Sequence, residues 1–307
     1  TFKDYFMKSI PHICILFNAV VWGLIWIPMQ WLNNQGLSVI LTTFFSYLLL
    51  SGLLIAIKPS SILKVFQSKT LILMAIAYGL TNICFNWAVT NGDVVRVVFL
   101  FYLMPIWAAI FAKLVLSENI GIKGLVRILL AVLGLLIVLD IFDQLSFVFD
   151  INFYEVLAIL GGIFFGFANV LLRKSKTSSS FNRSIAIFLG SCLVPFFILI
   201  ISFLLIGYES FANAIENLKN INNSGFTIVF VVVIMALALG TANFFLQYGG
   251  SKLLVKTTSL LMVIEIPVAI FSSALLTNKT TELSVFIGGG LIVLTAIWAS
   301  FDQRYDK

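Results

Sequence analysis

Between residues 10 and 300 the chain alternates apolar runs with short polar breaks, and ten of those runs are long enough to cross a membrane. A helix needs about 20 apolar residues to traverse ~30 Å of hydrocarbon. Such runs lie at 10–32, 37–57, 70–89, 94–116, 121–139, 155–172, 185–206, 226–248, 253–276 and 283–300, and the breaks are charged or rich in Gly, Pro or Asn. No break has room for a soluble domain. The expectation is an all-α integral membrane protein with ten transmembrane helices. Composition agrees: 61% of the 307 residues are hydrophobic and 10% are charged, too few to cover a water-soluble domain of this size.

A formal net charge of +6 first suggests a nucleic-acid partner, but the placement of the charge has another explanation. With the N-terminus inside, all 19 basic residues except Arg96, Lys219 and Lys279 fall on cytoplasmic segments, as the positive-inside rule requires. Asp93, Asp140, Asp143, Asp150, Glu155, Glu209, Glu216 and Glu282 fall outside. Both termini are then cytoplasmic, nucleic acid drops out as a partner, and the basic excess is a topology signal. The lipid bilayer remains as a partner, and the loop-poor build suits a bacterial inner (cytoplasmic) membrane. The first run is too long, and too rich in Trp and Pro, for a signal-peptide core, so it is read as a retained helix. Three cysteines and the single His12 form no metal or redox pattern, so no metal and no cofactor is expected. The oligomeric state stays open between monomer and homodimer.

Two blocks inside the apolar runs repeat one another. Residues 79–88 read GLTNICFNWA and residues 240–249 read GTANFFLQYG, so that Gly79, Asn82, Asn86 and Trp87 correspond to Gly240, Asn243, Gln247 and Tyr248. The likeness continues from the run around Pro105 to the run around Pro267, and more weakly from Trp22-Gly23 to Phe165-Gly166. The chain therefore divides into two related units, residues 1–145 and 146–307, each with five spans. Five is odd, so the second unit enters the membrane from the opposite side, giving the inverted repeat used by many secondary transporters. Within each block the spacings of three and four put Gly and both carboxamides on one helical face. Such a face serves as helix–helix glue or as the wall of a polar cavity.

The chain resembles the drug/metabolite transporter superfamily, of the ten-helix kind with two EamA-type repeats. The residues that carry the resemblance are Trp22-Gly23, the pattern PIWAAIFAKLVLSE from Pro105 to Glu118, Gly124 and Gly134, the run around Pro267, and Gly288-Gly289-Gly290. It covers nearly the whole chain, and it departs at Glu265, which precedes Pro267 by two positions, and at Thr280, which stands opposite Glu118. The resemblance implies that spans one, three, four, six, eight and nine surround a central cavity, with five and ten behind. It also implies alternating access without ATP, small organic solutes as substrates, and export as the default direction.

Glu265 lies in span nine among Val263, Ile264, Ile266 and Pro267, and is the only acid deep in a hydrocarbon span. An ionisable residue at that depth is costly and marks function by default. It is read as a proton-coupling carboxyl or a counter-ion for a cationic substrate, against a purely structural bond to a neighbouring helix. Arg96, about one turn inside span four, is a possible anion contact; it is alternatively a snorkelling interface residue or a partner of Asp93. Pro105 and Pro267 each remove a backbone hydrogen bond and are expected to kink their helices. Tyr102 puts a phenol near the midplane. Cavity candidates by face and depth are Trp22, Trp26, Asn82, Asn86, Trp87, Tyr102, Phe165, Asn169, Asn243, Gln247 and Tyr248, whose aromatics suit a ring or an ammonium group. Glu118 is read as clamping its loop by ion pairing, and RKSKTSSSFNR (173–183) as a basic linker between the halves.

These features point to a secondary active transporter that exports small amphipathic metabolites, amino-acid-like or aromatic and cationic, with proton coupling. An importer or exchanger of a metabolite or phosphorylated solute is the alternative, although it would need several cavity cations. A membrane-embedded enzyme would need a His or acid constellation that the sequence does not offer. A receptor would require the repeated polar faces to be packed shut.

Overall fold

A computed structural model describes residues 2–92, 94–138, 152–206, 225–277 and 283–301, and every regular element in them is helical. In chain order these are α1 (Phe2–Leu24), α2 (Trp26–Asn34), α3 (Val39–Ile57), α4 (Ser60–Phe66), α5 (Lys69–Asn91), α6 (Val94–Phe101) and α7 (Met104–Leu116). They continue as α8 (Gly121–Val138), α9 (Phe153–Lys174), α10 (Ser180–Ile206), α11 (Gly225–Gly250), α12 (Val255–Met262), α13 (Glu265–Thr277) and α14 (Leu283–Ser300). Among the described residues nine helical stretches are long and apolar enough to span a membrane, and Leu283–Ala299 is a shorter apolar helix. The ten runs of the sequence thus become nine such stretches and one shorter helix. Asp93, Asp140, Asp143, Asp150, Glu209, Glu216, Lys219 and Glu282 lie outside the described residues.

Three of the runs are broken rather than kinked. The breaks fall at Ile25, at Tyr102–Leu103 and at Val263–Ile264. A proline follows each break, as Pro28, Pro105 and Pro267. Proline lacks the N–H for an i→i−4 bond, and its ring clashes with the carbonyl four residues back. Those carbonyls belong to Leu24, Phe101 and Val263, at or one residue past the end of the helix in each case. The sequence marked Pro105 and Pro267 as bends; the structure makes them second and third residues of new helices, the position where a missing N–H does least harm. Pro28 does the same in the first run.

The helix breaks recur at a fixed offset. Phe101 and Met104, on either side of the break between α6 and α7, stand 161 positions before Met262 and Glu265, on either side of the break between α12 and α13. Packing follows the same correspondence. α5 packs on α9 and α11 on α1; α7 packs on α9 and α13 on α1; α10 packs on α5 and α3 on α11. α3 with α10, α8 with α14 and α7 with α12 pack across the middle.

The distribution of polarity is inverted relative to a soluble protein. Leu114, Ile122 and Phe226 are exposed on the outer surface, whereas Asn18, Ser46, Ser191 and Gln247 are fully buried. Lipid tails exert no hydrophobic drive between helices, so association rests on close packing and internal hydrogen bonds. Glycine provides the packing at two related points. A Cβ on Gly23 would stand 2.7 Å from the Glu265 carbonyl oxygen and 2.8 Å from Val268 Cβ, and one on Gly166 would stand 2.8 Å from Ala108 N and 3.0 Å from Trp107 Cβ. Val268 and Trp107 are themselves 161 positions apart. The two approaches are one contact made twice, α1 on α13 and α9 on α7.

Candidate functional site

The broken helices meet around an internal cavity lined by Trp22, Tyr47, Tyr78, Thr81, Asn82, Phe85, Phe101, Phe165, Asn243, Leu246, Met262 and Glu265. α1, α3, α5, α6, α9, α11, α12 and α13 each contribute. About 40 Å3 of it is open to the centres of water molecules, room for about three waters at ~10–15 Å3 each.

Among the described residues, Glu265 is the only charged one in this wall. The break before Pro267 makes it the first residue of α13, at the helix end that carries partial positive charge. The Tyr102 phenol, at the other broken segment, lies beside its carboxyl group. Asn82 and Asn243, the repeat-related carboxamides, both line the cavity and both donate to protein: Asn82 Nδ2 to Ser191 Oγ at 2.7 Å and Asn243 Nδ2 to the Leu239 carbonyl at 2.8 Å. Between them lies the Tyr47 hydroxyl, buried, beside both carboxamides and without a well-formed bond to either. The Tyr78 hydroxyl lies in the same way beside the fully buried Gln247 amide. Aromatic rings close the remaining wall, with Phe101 stacked on Phe165 at 5.8 Å and Tyr78 edge-on to Phe165 at 6.0 Å.

Of the residues singled out in the sequence, Trp22, Asn82, Phe165, Asn243 and Glu265 come together here. Tyr102 and Gln247 stand behind the wall, against Glu265 and Tyr78. Five others lie elsewhere. Trp26 begins α2 and donates from Nε1 to Ser272 Oγ at 3.0 Å. Asn86 donates to Thr43 Oγ1 at 3.1 Å, tying α5 to α3. Trp87 meets Phe153 edge-on. Asn169 is buried and donates to the carbonyl of Phe165 on its own helix. Tyr248 lies beneath the Lys252 ammonium at 3.9 Å. The repeated face is therefore glue along part of its length and wall along the rest.

The sequence reading passed over Tyr47, Tyr78, Thr81, Phe85, Phe101, Leu246 and Met262. The two tyrosines did carry a signal, since a phenol hydroxyl in an apolar run needs a partner as a carboxamide does. The phenylalanines carried none, being drawn from thirty in the chain.

Arg96 lies outside the cavity. Its Nε stands 2.8 Å from Glu155 Oε1 and its Nη2 donates to Oε2 at 3.1 Å. Glu155 also closes a capping box with Asn152 at the start of α9, so one carboxylate satisfies helix-end donors and holds α6 to α9. Asp93, the partner expected from the sequence, lies outside the described residues.

At the opposite end of α9, the segment read as a linker buries Arg173, Ser175, Asn182 and Arg183 and exposes Lys174, Lys176, Thr177 and Ser179. Arg173 stands 3.7 Å from Glu118 and donates to the Ser251 carbonyl at 2.8 Å. Arg183 donates to the carbonyls of Ser175, Ser178 and Gln247 and to the hydroxyls of Ser180 and Ser251. A helix end leaves carbonyls without intrahelical partners, and the two arginines satisfy those at the end of α11. Glu118 accepts from the Val255 N–H at 3.1 Å, so it does clamp its loop, and it does so against α12. The sequence rule that assigned these cations to a solvated inner loop overlooked that guanidinium can cap buried helix ends.

The remaining cations offered for a phosphorylated solute are placed away from the cavity. Lys256 reaches the Ile120 carbonyl, and Arg127 lies over the Trp298 ring at 4.8 Å. Among the described residues no group of His, Cys, Asp and Glu could hold a metal ion.

Comparisons with known proteins agree with this architecture. The chain matches a crystal structure of a protein at a TM-score of 0.68 over 95% of this chain and 96% of that one, with 14% identity, a likeness of fold alone. No curated protein matches it in sequence. The model of the EamA-like transporter family matches residues 9–140. With its multiple apolar helices, the chain is an integral multi-pass membrane protein, and over residues 9–140 it is similar to the EamA-like transporter family.

Proposed function

We propose that the chain is a secondary active transporter that exports small amphipathic organic solutes by alternating access, with Glu265 as the proton-coupling group. The observation that carries this reading is the cavity itself: two broken helices at repeat-related positions frame one carboxylate and a pair of repeat-related asparagines. Broken helices at the midplane, where the repeats meet, are how transporters expose backbone and ionisable groups to a solute. The fixed offset of the two helix breaks and the paired packing support two inverted five-helix units, residues 1–145 and 146–307, counting Leu283–Ala299 as the tenth span. Both termini are then cytoplasmic, and the membrane is a bacterial inner one.

In the present conformation the cavity admits only waters, so a solute enters after the walls part. The clasp of Arg173 and Arg183 against the end of α11 supports closure at that side. Export is the direction assigned. The test is to overexpress the chain in cells and quantify metabolites in medium and cytosol, with Glu265→Gln as control. A solute enriched outside only with the wild type supports the proposal; enrichment inside reverses the direction, and identity with empty vector removes it.

A further inference from the structure

We infer that the cavity takes a small organic cation, an apolar or aromatic body bearing one ammonium group and one neutral hydroxyl, and that Tyr47 together with Asn82 and Asn243 selects for the hydroxyl. This rests on the transport reading above and narrows its substrate class.

Charge comes first. Among the described residues Glu265 is the only charged group in the wall, and the guanidinium groups of Arg96 and Arg183 are bound elsewhere, to Glu155 and to the carbonyls closing α11. A buried carboxylate or phosphate on the solute would find no cation to pair with, at a large desolvation cost. An ammonium group finds a carboxylate and aromatic faces, which attract cations. The site therefore discriminates against zwitterions and anions of the same shape.

The neutral end follows from an incomplete hydrogen-bond set. Tyr47 is 1% exposed, and its hydroxyl is buried without a satisfied hydrogen bond, a condition that usually means an absent partner. It faces Asn82 and Asn243, each of which has already committed an amide N–H to protein. A hydroxyl arriving there can donate to one oxygen and accept from another group, completing all three. Phe188, which packs against Tyr47 with ring centroids 5.8 Å apart, has no such group, so the polar point is written on one side of this ring pair only.

The experiment is direct binding to the purified full chain in nanodiscs, by calorimetry, with three probes. Phenylethylamine supplies the ring and ammonium, tyramine adds the hydroxyl, and 4-hydroxyphenylacetate keeps the hydroxyl but replaces the ammonium with a carboxylate. The wild type is expected to bind tyramine at least about fivefold more tightly than phenylethylamine, the size of one hydrogen bond to a buried unpaired group, and not to bind the acid. Tyr47→Phe is expected to bring the two amines to equal affinity while still binding phenylethylamine, which also shows that the variant is folded. Equal affinities in the wild type, or a Tyr47→Phe variant that keeps the preference or loses both amines, would overturn the hydroxyl assignment and leave the transport reading standing. Binding of the acid as tightly as tyramine would overturn the cation assignment. A wild type that binds none of the three and moves no solute in the export assay would remove both readings.

Discussion

The Tyr102 phenol lies beside the Glu265 carboxyl group, and so brings the break between α6 and α7 up against the break between α12 and α13. The two breaks are repeat-related, but the residues that meet are not equivalents of each other: Met104 stands where the repeat would place Glu265, and Val263 where it would place Tyr102. Among the described residues that line the cavity, Glu265 is the one acid, and helices from both sides of the chain contribute to the wall around it.

Tyr102→Phe keeps the ring and removes the hydroxyl that stands beside Glu265. A hydrogen bond to a charged group contributes about 1.5–3 kcal/mol, so the expected result is a roughly ten- to hundredfold loss of proton-coupled flux if such a bond acts mainly in the transporting step. Thermal unfolding in detergent should change little, because the ring still packs against Phe101. Flux measured against substrate concentration in proteoliposomes would separate a fall in maximal rate from a fall in affinity.

Glycine contacts give a stability prediction with its own control. Gly23→Ala forces a methyl group to within 2.7 Å of a backbone oxygen on α13, and overpacking of that kind costs about 1–3 kcal/mol. Gly52 has nothing within 4 Å of an added Cβ, and Gly→Ala in a helix interior gains about 0.5–1 kcal/mol. Melting temperatures of the two variants should therefore move in opposite directions from the wild type. Equal shifts would mean that the α1–α13 contact is not tight.

How much of this was legible beforehand follows the physics of each signal. Span positions, the doubling of Asn82 and Asn243, and the isolation of Glu265 could be read because each depends on residue type and spacing along one helix. The line between wall and glue could not, since Asn86 and Gln247 differ from Asn82 and Asn243 only in which helix lies opposite them. Proline gave the location of the breaks but not their completeness. The inner clasp was misread because a charge count treats every arginine as solvated, while Arg183 is almost fully buried among carbonyls.

Arg183→Gln tests that clasp. It leaves the buried Gln247 carbonyl without its guanidinium donor, at about 1–3 kcal/mol for an unsatisfied group. The variant should unfold at lower temperature and open at the α11 end. Cysteine placed at Ser251 should then react with a hydrophilic maleimide several times faster than in the wild-type background; an unchanged rate would mean that Arg183 does not hold that end shut.

Glu155 offers a graded pair. Glu155→Ala removes both the ion pair with Arg96 and half of the capping box, and loss of a cap alone costs about 0.5–2 kcal/mol. Glu155→Gln keeps an acceptor for the Asn152 N–H and loses the charge. Denaturation in detergent should rank the alanine variant below the glutamine variant, and both below the wild type.

Proton movement through the reconstituted protein is the most direct test of the central claim. Proteoliposomes carrying an internal pH dye would be given tyramine on one side, with wild type and Glu265→Gln compared at equal protein load. The account predicts a substrate-dependent pH change with the wild type and none with the variant. An equal pH change in both, or solute flux in the wild type with no proton movement, would contradict it.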